Sequence, residues 1–409
     1  MKYLILLGDG MADYPIDLFG GKTPLEYAHT PNMDRMAAEG TLGLIDTIPQ
    51  GLPPGSDVAN LAVLGYNPID CYTGRGPLEA ANMGIALSPE DIAFRCNLVT
   101  LSDAEPVMGD FTAGHISSAE ARRLIDDIAK ELGSDDFSFH PGVGYRHLMV
   151  WKGGDPGVVT TPPHDITGKR IARYLPKGPG SEKINRLIHC SWELLADHPV
   201  NKERAARGLK SATSIWPWGQ GKAPKMRKIS ERFQIRGGVI SAVDLLNGIG
   251  VYAGLEVLPV VGATGYTDTN YRGKAEKALI ALKELDLVFV HVEAPDEMGH
   301  EGNLEGKVES IEAFDEKVVG AVLQGMESMK PFRIAVLSDH PTPISIKTHS
   351  GDPSPFAVLS SVDEENQCRG ISFGEREAAR TGNVISPGHL LMESFIGNNW
   401  RSFVRKDSR

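Results

Sequence analysis

Apolar and polar positions change rhythm several times along the chain, and each rhythm predicts an element. Residues 2–7 are an apolar run broken by Gly8-Asp9-Gly10, the pattern of a strand buried on both faces. Residues 30–40 (TPNMDRMAAEG) predict a helix with Thr30 as cap, Pro31 at its first position and Gly40 as terminator. Further on, 277–285 (KALIALKEL) is helical, 286–294 (DLVFVHVEA) is a strand, 303–326 is a long amphipathic helix and 332–339 (FRIAVLSD) is another strand. Near-continuous apolar strands alternating with helices predict an α/β fold with a mainly parallel sheet sandwiched by helices.

The rhythm differs between about 110 and 235. A helix over 119–132 precedes hairpin-like alternation over 137–154, a Pro/Gly-rich stretch over 160–183 and a helix over 184–196. This predicts a smaller inserted α+β domain over 111–235, within a core built from 1–110 and 236–409. The C-terminal RKDSR is expected to fray.

Composition narrows the classes. A chain of 409 residues with 41% hydrophobic and 23% charged residues is that of an ordinary globular protein with room for two domains. A net charge of −11 argues against a general nucleic-acid partner. The N-terminal apolar run is too short for a signal peptide, and no run reaches the ~18 residues of a membrane helix. Cys71, Cys96, Cys190 and Cys368 form no C-x-x-C pair and suit reduced thiols, so a cytoplasmic location is expected.

Four segments carry residues that can bind metal, each after a predicted strand or in a Gly-rich loop: Asp9 in LILLGDGMAD, Ser56 in GLPPGSDVAN, Asp296 and His300 in FVHVEAPDEMGHEGN, and Asp339, His340 and His349 in SDHPTPISIKTHSGDP. Open parallel sheets bind ligands at the carboxyl ends of their strands, so these loops are expected to converge. Asp296 and His300 share a face if their segment is helical. Mixed carboxylate and imidazole ligands suit Mn²⁺ or Zn²⁺ better than Ca²⁺; Mn²⁺ is expected, with Mg²⁺ or Zn²⁺ as alternatives. One ion can use Asp9, Asp339 and His340, and another Asp296, His300 and His349. His291, inside its strand, reads as a core or supporting residue. Ser56 follows a Pro/Gly turn at a helix start, where a serine is commonly an N-cap. With no G-x-S-x-G elbow, a nucleophilic Ser56 would need a divalent metal to activate it.

Taken in order, LLGDGMAD, PPGSDVANLAVLGYNP, YTGRGPLEA, FRCNLVTL, GYRHLMVWKG, DEMGHEGN and SDHPTPISIKTHSGDPSPF resemble the alkaline phosphatase superfamily. More narrowly, they resemble the archaeal-type cofactor-independent phosphoglycerate mutases. The resemblance implies an alkaline phosphatase-like core with two divalent metal ions and Ser56 as the phosphorylated nucleophile. Asp9, Ser56, Asp339 and His340 would surround one ion, and Asp296, His300 and His349 the other. It also implies an inserted transferase domain and a small phosphorylated metabolite, phosphoglycerate, as substrate. Candidates to hold that substrate are Arg75, Asn60, Asn97, Arg146, His147 and Arg186, with His115 where the family has Arg.

The segment around Asp296 departs from the family in Glu293, Pro295 and Glu301. Such variants look like a bacterial branch proposed to act as homoserine kinases. The rivals are therefore a homoserine kinase, a phosphatase-type hydrolase and a non-catalytic metal binder. The sequence holds no G-x-x-x-x-G-K-[ST] nucleotide loop.

Overall fold

The computed structural model describes residues 1–102, 106–362, 370–397 and 405–406. Cys368 and residues 407–409 of the expected tail lie outside the described residues. Among the described residues the strands are β1 (Lys2–Gly8), β2 (Thr41–Ile45), β3 (Ile92–Leu101), β4 (Met108–Asp110), β5 (Phe137–His140), β6 (Arg146–Trp151), β7 (Ser214–Gly221), β8 (Gly237–Ile240), β9 (Glu256–Val257), β10 (Leu287–Val292), β11 (Phe332–Leu337), β12 (Ser354–Ser360), β13 (Asn383–Ile385) and β14 (Arg405–Lys406).

Two compact units are formed, one from 1–72 with 225–409 and one from 73–224. The first carries a nine-stranded sheet in the order β14-β13-β2-β12-β11-β1-β10-β8-β9. From β11 to β9 the strands are parallel, while β12 and β14 run against their neighbours. The expected mainly parallel α/β sheet is therefore present. Burial runs unbroken along β10 and β11 and nearly so along β1, because both faces are covered. Leu4, Leu6, Val288, Val290, Ile334 and Val336 share one core with Met33, Ile311, Phe314 and Val318 from helices on one face.

Three details differ from the sequence reading. Thr30 makes no capping bond to the helix Pro31–Glu39. Asp315 does so from a distance, its carboxylate accepting from the N–H groups of Asn32 at 3.2 Å and Met33 at 2.7 Å. Asp315 opens a π-helical stretch, Asp315–Gly320, so the expected single helix over 303–326 is α-helical only on either side of it. Arg405 and Lys406, expected to fray, pair with Val384 and Asn383 as an edge strand.

The second unit is an antiparallel sheet in the order β4-β3-β6-β5, with β7 on the other side of β3. The expected hairpin is β5 against β6. Its capping-box helix Ser118–Leu132, opened by Ser117 and Glu120, packs on the Ile92, Phe94, Cys96 and Leu98 face. The expected boundary near 110 lies instead after residue 72. The reason is β3, which pairs with both β6 and β7 and carries residues 92–101 into this unit.

Candidate functional site

In the first unit, the parallel register brings the ends of four adjacent strands level. Leu7 of β1 lies beside His291 of β10 and Leu337 of β11. The chain then leaves the sheet at Asp9 after β1, Glu293 after β10, Asp339 and His340 after β11, and Ser241 after β8. Side chains that sequence separates by hundreds of residues thus share one sheet edge.

The turn after β1 requires glycine. Gly10 has φ +60°, and a Cβ there would lie 2.6 Å from both Asp296 Oδ1 and Thr342 Oγ1. After β10 the chain enters the helix Ala294–Glu301, with Pro295 in its first turn and Gly302 (φ 71°) closing it. Asp296 and His300 therefore share a helix face, as their spacing predicts. After β11 the loop returns on itself through the Ser350 N–H donating to the Pro341 carbonyl at 3.0 Å. The loop sets the His340 and His349 rings with centroids 4.3 Å apart, tilted by 49°.

One group able to hold a metal ion is Asp296, His300 and His349. His300 and His349 turn their Nε2 atoms toward each other at 2.9 Å. Their Nδ1 atoms face the carbonyl oxygens of Lys347 at 3.1 Å and Pro54 at 3.3 Å. A carbonyl only accepts, so each Nδ1 carries the proton that bonds it, and the facing Nε2 atoms are left to share a cation. Asp296 completes the set, Oδ2 lying 3.2 Å from His300 Nε2 and Oδ1 3.5 Å from His349 Nε2. Burial pushes the Asp296 carboxyl up, but the two imidazoles hold it well below the usual range. Asp296 in turn pulls His300 up to about 9, so without a metal a proton takes the place of a cation there.

The second group is Asp9, Asp339 and His340, all wholly buried. His340 Nε2 lies 3.5 Å from Asp9 Oδ1, 3.6 Å from Asp339 Oδ2 and 3.2 Å from Ser56 Oγ. Asp339 is fixed by the N–H groups of Gly10 and His340 and by Asn60 Nδ2 at 2.8 Å. Asp9 Oδ1 is buried with no hydrogen-bond partner among the described residues. Burial, together with the negative charges of Asp339, Glu293 and Asp296, pushes the Asp9 carboxyl well above its ordinary range. A divalent cation removes both the orphaned oxygen and the repulsion, so both groups fit metals by donor chemistry.

Ser56 is the first residue of the helix Ser56–Val63 and Gly55 holds the cap position, so Ser56 is not the N-cap. Its Oγ is left for His340, at the positive end of that helix. Asn60, one turn later, joins the Ser56 carbonyl to Asp339.

Sequence reasoning missed the support beneath these loops. Lys307 is wholly buried, its Nζ donating to Asp13 Oδ2 at 2.7 Å, the Thr342 carbonyl at 2.8 Å and the Ala12 carbonyl at 3.3 Å. It ties the loop after β1 to the loop after β11. The available signal was a lysine at the apolar spacing of Leu304, Ile311 and Phe314. Thr342 also bonds Asp296 and approaches His340 Nδ1 at 3.3 Å, linking the two groups.

The remaining candidates lie in the second unit. Arg75, Arg95 and Arg146 act on one another: burial lowers the Arg95 pKa, Glu79 opposes this, and Arg75 and Arg146 lower it further. Arg95 stacks 4.6 Å over Trp218 and reaches Glu79 at 3.3 Å; Arg146 stacks over Tyr145. His164 is lowered by burial and by Arg75 and Arg95. Arg95 escaped the sequence reading, although a lone arginine in the apolar run IAFRCNLVTL marked it. Asn97 is buried, bonding Trp218 Nε1 and the Phe111 carbonyl, and His147 is buried with Nδ1 accepting from Gly142 N–H. Both hold local structure. Arg186 is exposed on the helix Ser181–Ala196. His115 is exposed at φ 49°, after Ala113 at 49° and Gly114 at 66°, a left-handed run held by Arg204 bonding the Ala113 carbonyl at 2.8 Å.

Among the described residues no helix is long and apolar enough to cross a membrane, and Cys71, Cys96 and Cys190 are free thiols.

The sequence profile of the 2,3-bisphosphoglycerate-independent phosphoglycerate mutase family matches residues 37–201. A probable 2,3-bisphosphoglycerate-independent phosphoglycerate mutase of Geobacter sulfurreducens is 53% identical over 399 residues, covering 97% of this chain and 100% of that protein. The Methanosarcina barkeri phosphoglycerate mutase of the same type is 55% identical, covering 94% and 96%. Among solved structures, the cofactor-independent phosphoglycerate mutase of Thermoplasma acidophilum superposes with a TM-score of 0.65 at 26% identity, covering 97% of this chain and 99% of that one. On this similarity along nearly its whole length, the chain belongs to the 2,3-bisphosphoglycerate-independent phosphoglycerate mutase family.

Proposed function

We propose that this chain is a metal-dependent phosphoglycerate mutase, interconverting 3- and 2-phosphoglycerate through a phosphoserine at Ser56. The observation that carries this reading is Ser56 Oγ, uncapped at a helix start and 3.2 Å from His340, beside two groups of metal-ligating side chains. Asp9, Ser56, Asp339 and His340 would hold one divalent ion, and Asp296, His300 and His349 the other, with Mn²⁺ the best fit to the mixed ligands. When bound, such ions lower the pKa of a coordinated hydroxyl and offset charge on a transferring phosphoryl group.

The chain's own part is to aim and release the serine. Ser56 Oγ forms a bond to phosphorus as the bond from phosphorus to the C3 oxygen of 3-phosphoglycerate breaks, and the serine proton ends on that oxygen. The glycerate then presents its C2 oxygen, which takes the phosphoryl group back and returns its proton to Ser56. The start of helix Ser56–Val63 favours negative charge next to the serine, and Asn60 fixes the serine backbone against Asp339. Arg75, Arg95 and Arg146, within the second unit, are planar donors of the kind that a carboxylate or phosphate takes.

Homoserine kinase is the weaker reading: the relatives are named as mutases, and the chain has no P-loop. A glycolytic or gluconeogenic role in the cytoplasm follows from the mutase reading. Purified protein with Mn²⁺ is expected to interconvert the two phosphoglycerates without added bisphosphoglycerate. Failure with Mn²⁺, Mg²⁺ and Zn²⁺, together with ATP-dependent phosphorylation of homoserine, would overturn it.

A further inference from the structure

Between the two groups able to hold metal stands one hydroxyl, that of the wholly buried Thr342. Its Oγ1 bonds Asp296 Oδ1 of one group and lies 3.3 Å from His340 Nδ1 of the other. The residue is also held on its other sides. Its N–H donates to the Ala12 carbonyl at 3.1 Å, and its own carbonyl accepts from Lys307 Nζ at 2.8 Å. The helix Ala294–Glu301 comes so close at Gly299 that a Cβ there would lie 2.8 Å from the Thr342 methyl carbon.

The chemistry of these three side chains gives the line of contacts a direction. A carboxylate only accepts, so the Thr342 hydroxyl spends its one proton on Asp296. Toward His340 the same oxygen can then only accept, and the hydrogen between them belongs to Nδ1. The other ring nitrogen, Nε2, faces Ser56 Oγ at 3.2 Å, Asp9 Oδ1 at 3.5 Å and Asp339 Oδ2 at 3.6 Å. That nitrogen is thereby the one presented to a cation.

We infer that Thr342 is a positioning residue that sets both metal groups at once: its hydroxyl holds Asp296 in place and fixes the His340 proton on Nδ1, leaving Nε2 as the ligand atom. The inference rests on the two-metal part of the reading above. A ligating imidazole needs a partner behind it, and here the partner of one group's imidazole is also the partner of the other group's carboxylate. Loss of this one hydroxyl therefore weakens both groups together. The methyl has a share as well: a β-branched side chain packed on Gly299 keeps its hydroxyl in one rotamer, between Asp296 and His340. Serine would keep the hydrogen bonds with a looser hold.

Thr342→Val, which keeps the shape and removes the hydroxyl, is compared with Thr342→Ser and the wild type. In metal-free full-length protein, nitrogen NMR of labelled histidine rings reads which ring nitrogen of His340 carries the proton. It is expected on Nδ1 in the wild type and in Thr342→Ser, and shifted toward Nε2 in Thr342→Val. Calorimetric titration with Mn²⁺ is expected to show both ions held roughly 10–100-fold more weakly by Thr342→Val, with most of that loss recovered in Thr342→Ser. A wild-type His340 protonated on Nε2 overturns the inference, as does wild-type affinity for either ion in Thr342→Val. A merely structural role would lower the unfolding midpoint of Thr342→Val and leave the proton on Nδ1, which also overturns it. A wild type that binds no manganese defeats the two-metal reading, while the proton position, read without metal, still decides the role of Thr342. The wild-type and Thr342→Ser measurements keep the test decisive even if Thr342→Val fails to fold.

Discussion

The two units differ in how their buried charges are matched. In the second unit buried cations meet protein anions: Arg204 pairs with Glu120 at 2.7 Å, and Arg95 reaches Glu79 at 3.3 Å. In the first unit, Asp9, Glu293, Asp296 and Asp339 crowd one sheet edge. There the buried lysines Lys274 and Lys307 are directed at carbonyls and at Asp13. An acid-rich sheet edge, with imidazole nitrogens already aimed inward, is an arrangement completed by cations from outside. The same chain thus pairs the buried Arg204 and Arg95 with acids in the second unit and crowds buried carboxylates at the sheet edge of the first.

The sharpest way to break this contrast is to remove the nucleophile and leave the ligands. Ser56→Ala should lower turnover by roughly 10⁴-fold or more, with manganese still bound. Substantial residual activity in steady-state assays would show that the acid-rich edge serves something other than a phosphoserine. Lys307→Met removes the only partner that Asp13 Oδ2 has in a side-chain cation among the described residues. It should cost about 3–5 kcal/mol in urea unfolding, because a buried carboxylate is left unpaired. Arg146→Ala, at an exposed member of the arginine cluster, should raise KM for phosphoglycerate by roughly 10-fold, the loss of one charge-assisted contact, with unfolding midpoint unchanged.

A smaller effect separates the units by the sign of their pH dependence. Burial holds the Glu375 carboxyl of the first unit up at about 7, where it accepts from Asp13 N–H and the Thr23 hydroxyl. The folded state keeps that proton longer than the unfolded chain, so the contribution is complete below about pH 4.5 and fades as pH rises through 7. Burial, helped by Arg122, holds His147 of the second unit down at about 3. There the unfolded chain takes up the proton first, so stability is complete above about pH 6.5 and is lost as pH falls toward 3. Between pH 5 and 7, Glu375→Gln should flatten the first trend without touching the second, as urea melts of both proteins would report.

Much of the first unit was legible because its signals are local. Apolar runs marked β1, β10 and β11, and glycine and proline marked the loops after them. The i, i+4 spacing of Asp296 and His300 needed only a helix to put both on one face. The rest depended on pairing that no local pattern encodes. β3 draws residues 92–101 into the second unit through distant partners on β6 and β7, so the boundary was misjudged. Asp315 caps a helix 283 residues earlier in the chain, where Thr30 looked sufficient. Arg95 was hidden because one charged residue in a strand shows its purpose only when Trp218 and Glu79 are placed beside it.

Hydrogen–deuterium exchange on metal-free and Mn²⁺-loaded protein tests the contrast most directly. Peptides covering residues 9–13, 291–300 and 339–349 should gain protection on loading, while those covering β3 and the helix Pro199–Ala206, which carry Arg95 and Arg204, stay unchanged. Equal changes in both units, or none in the three strand-end loops, would contradict the account.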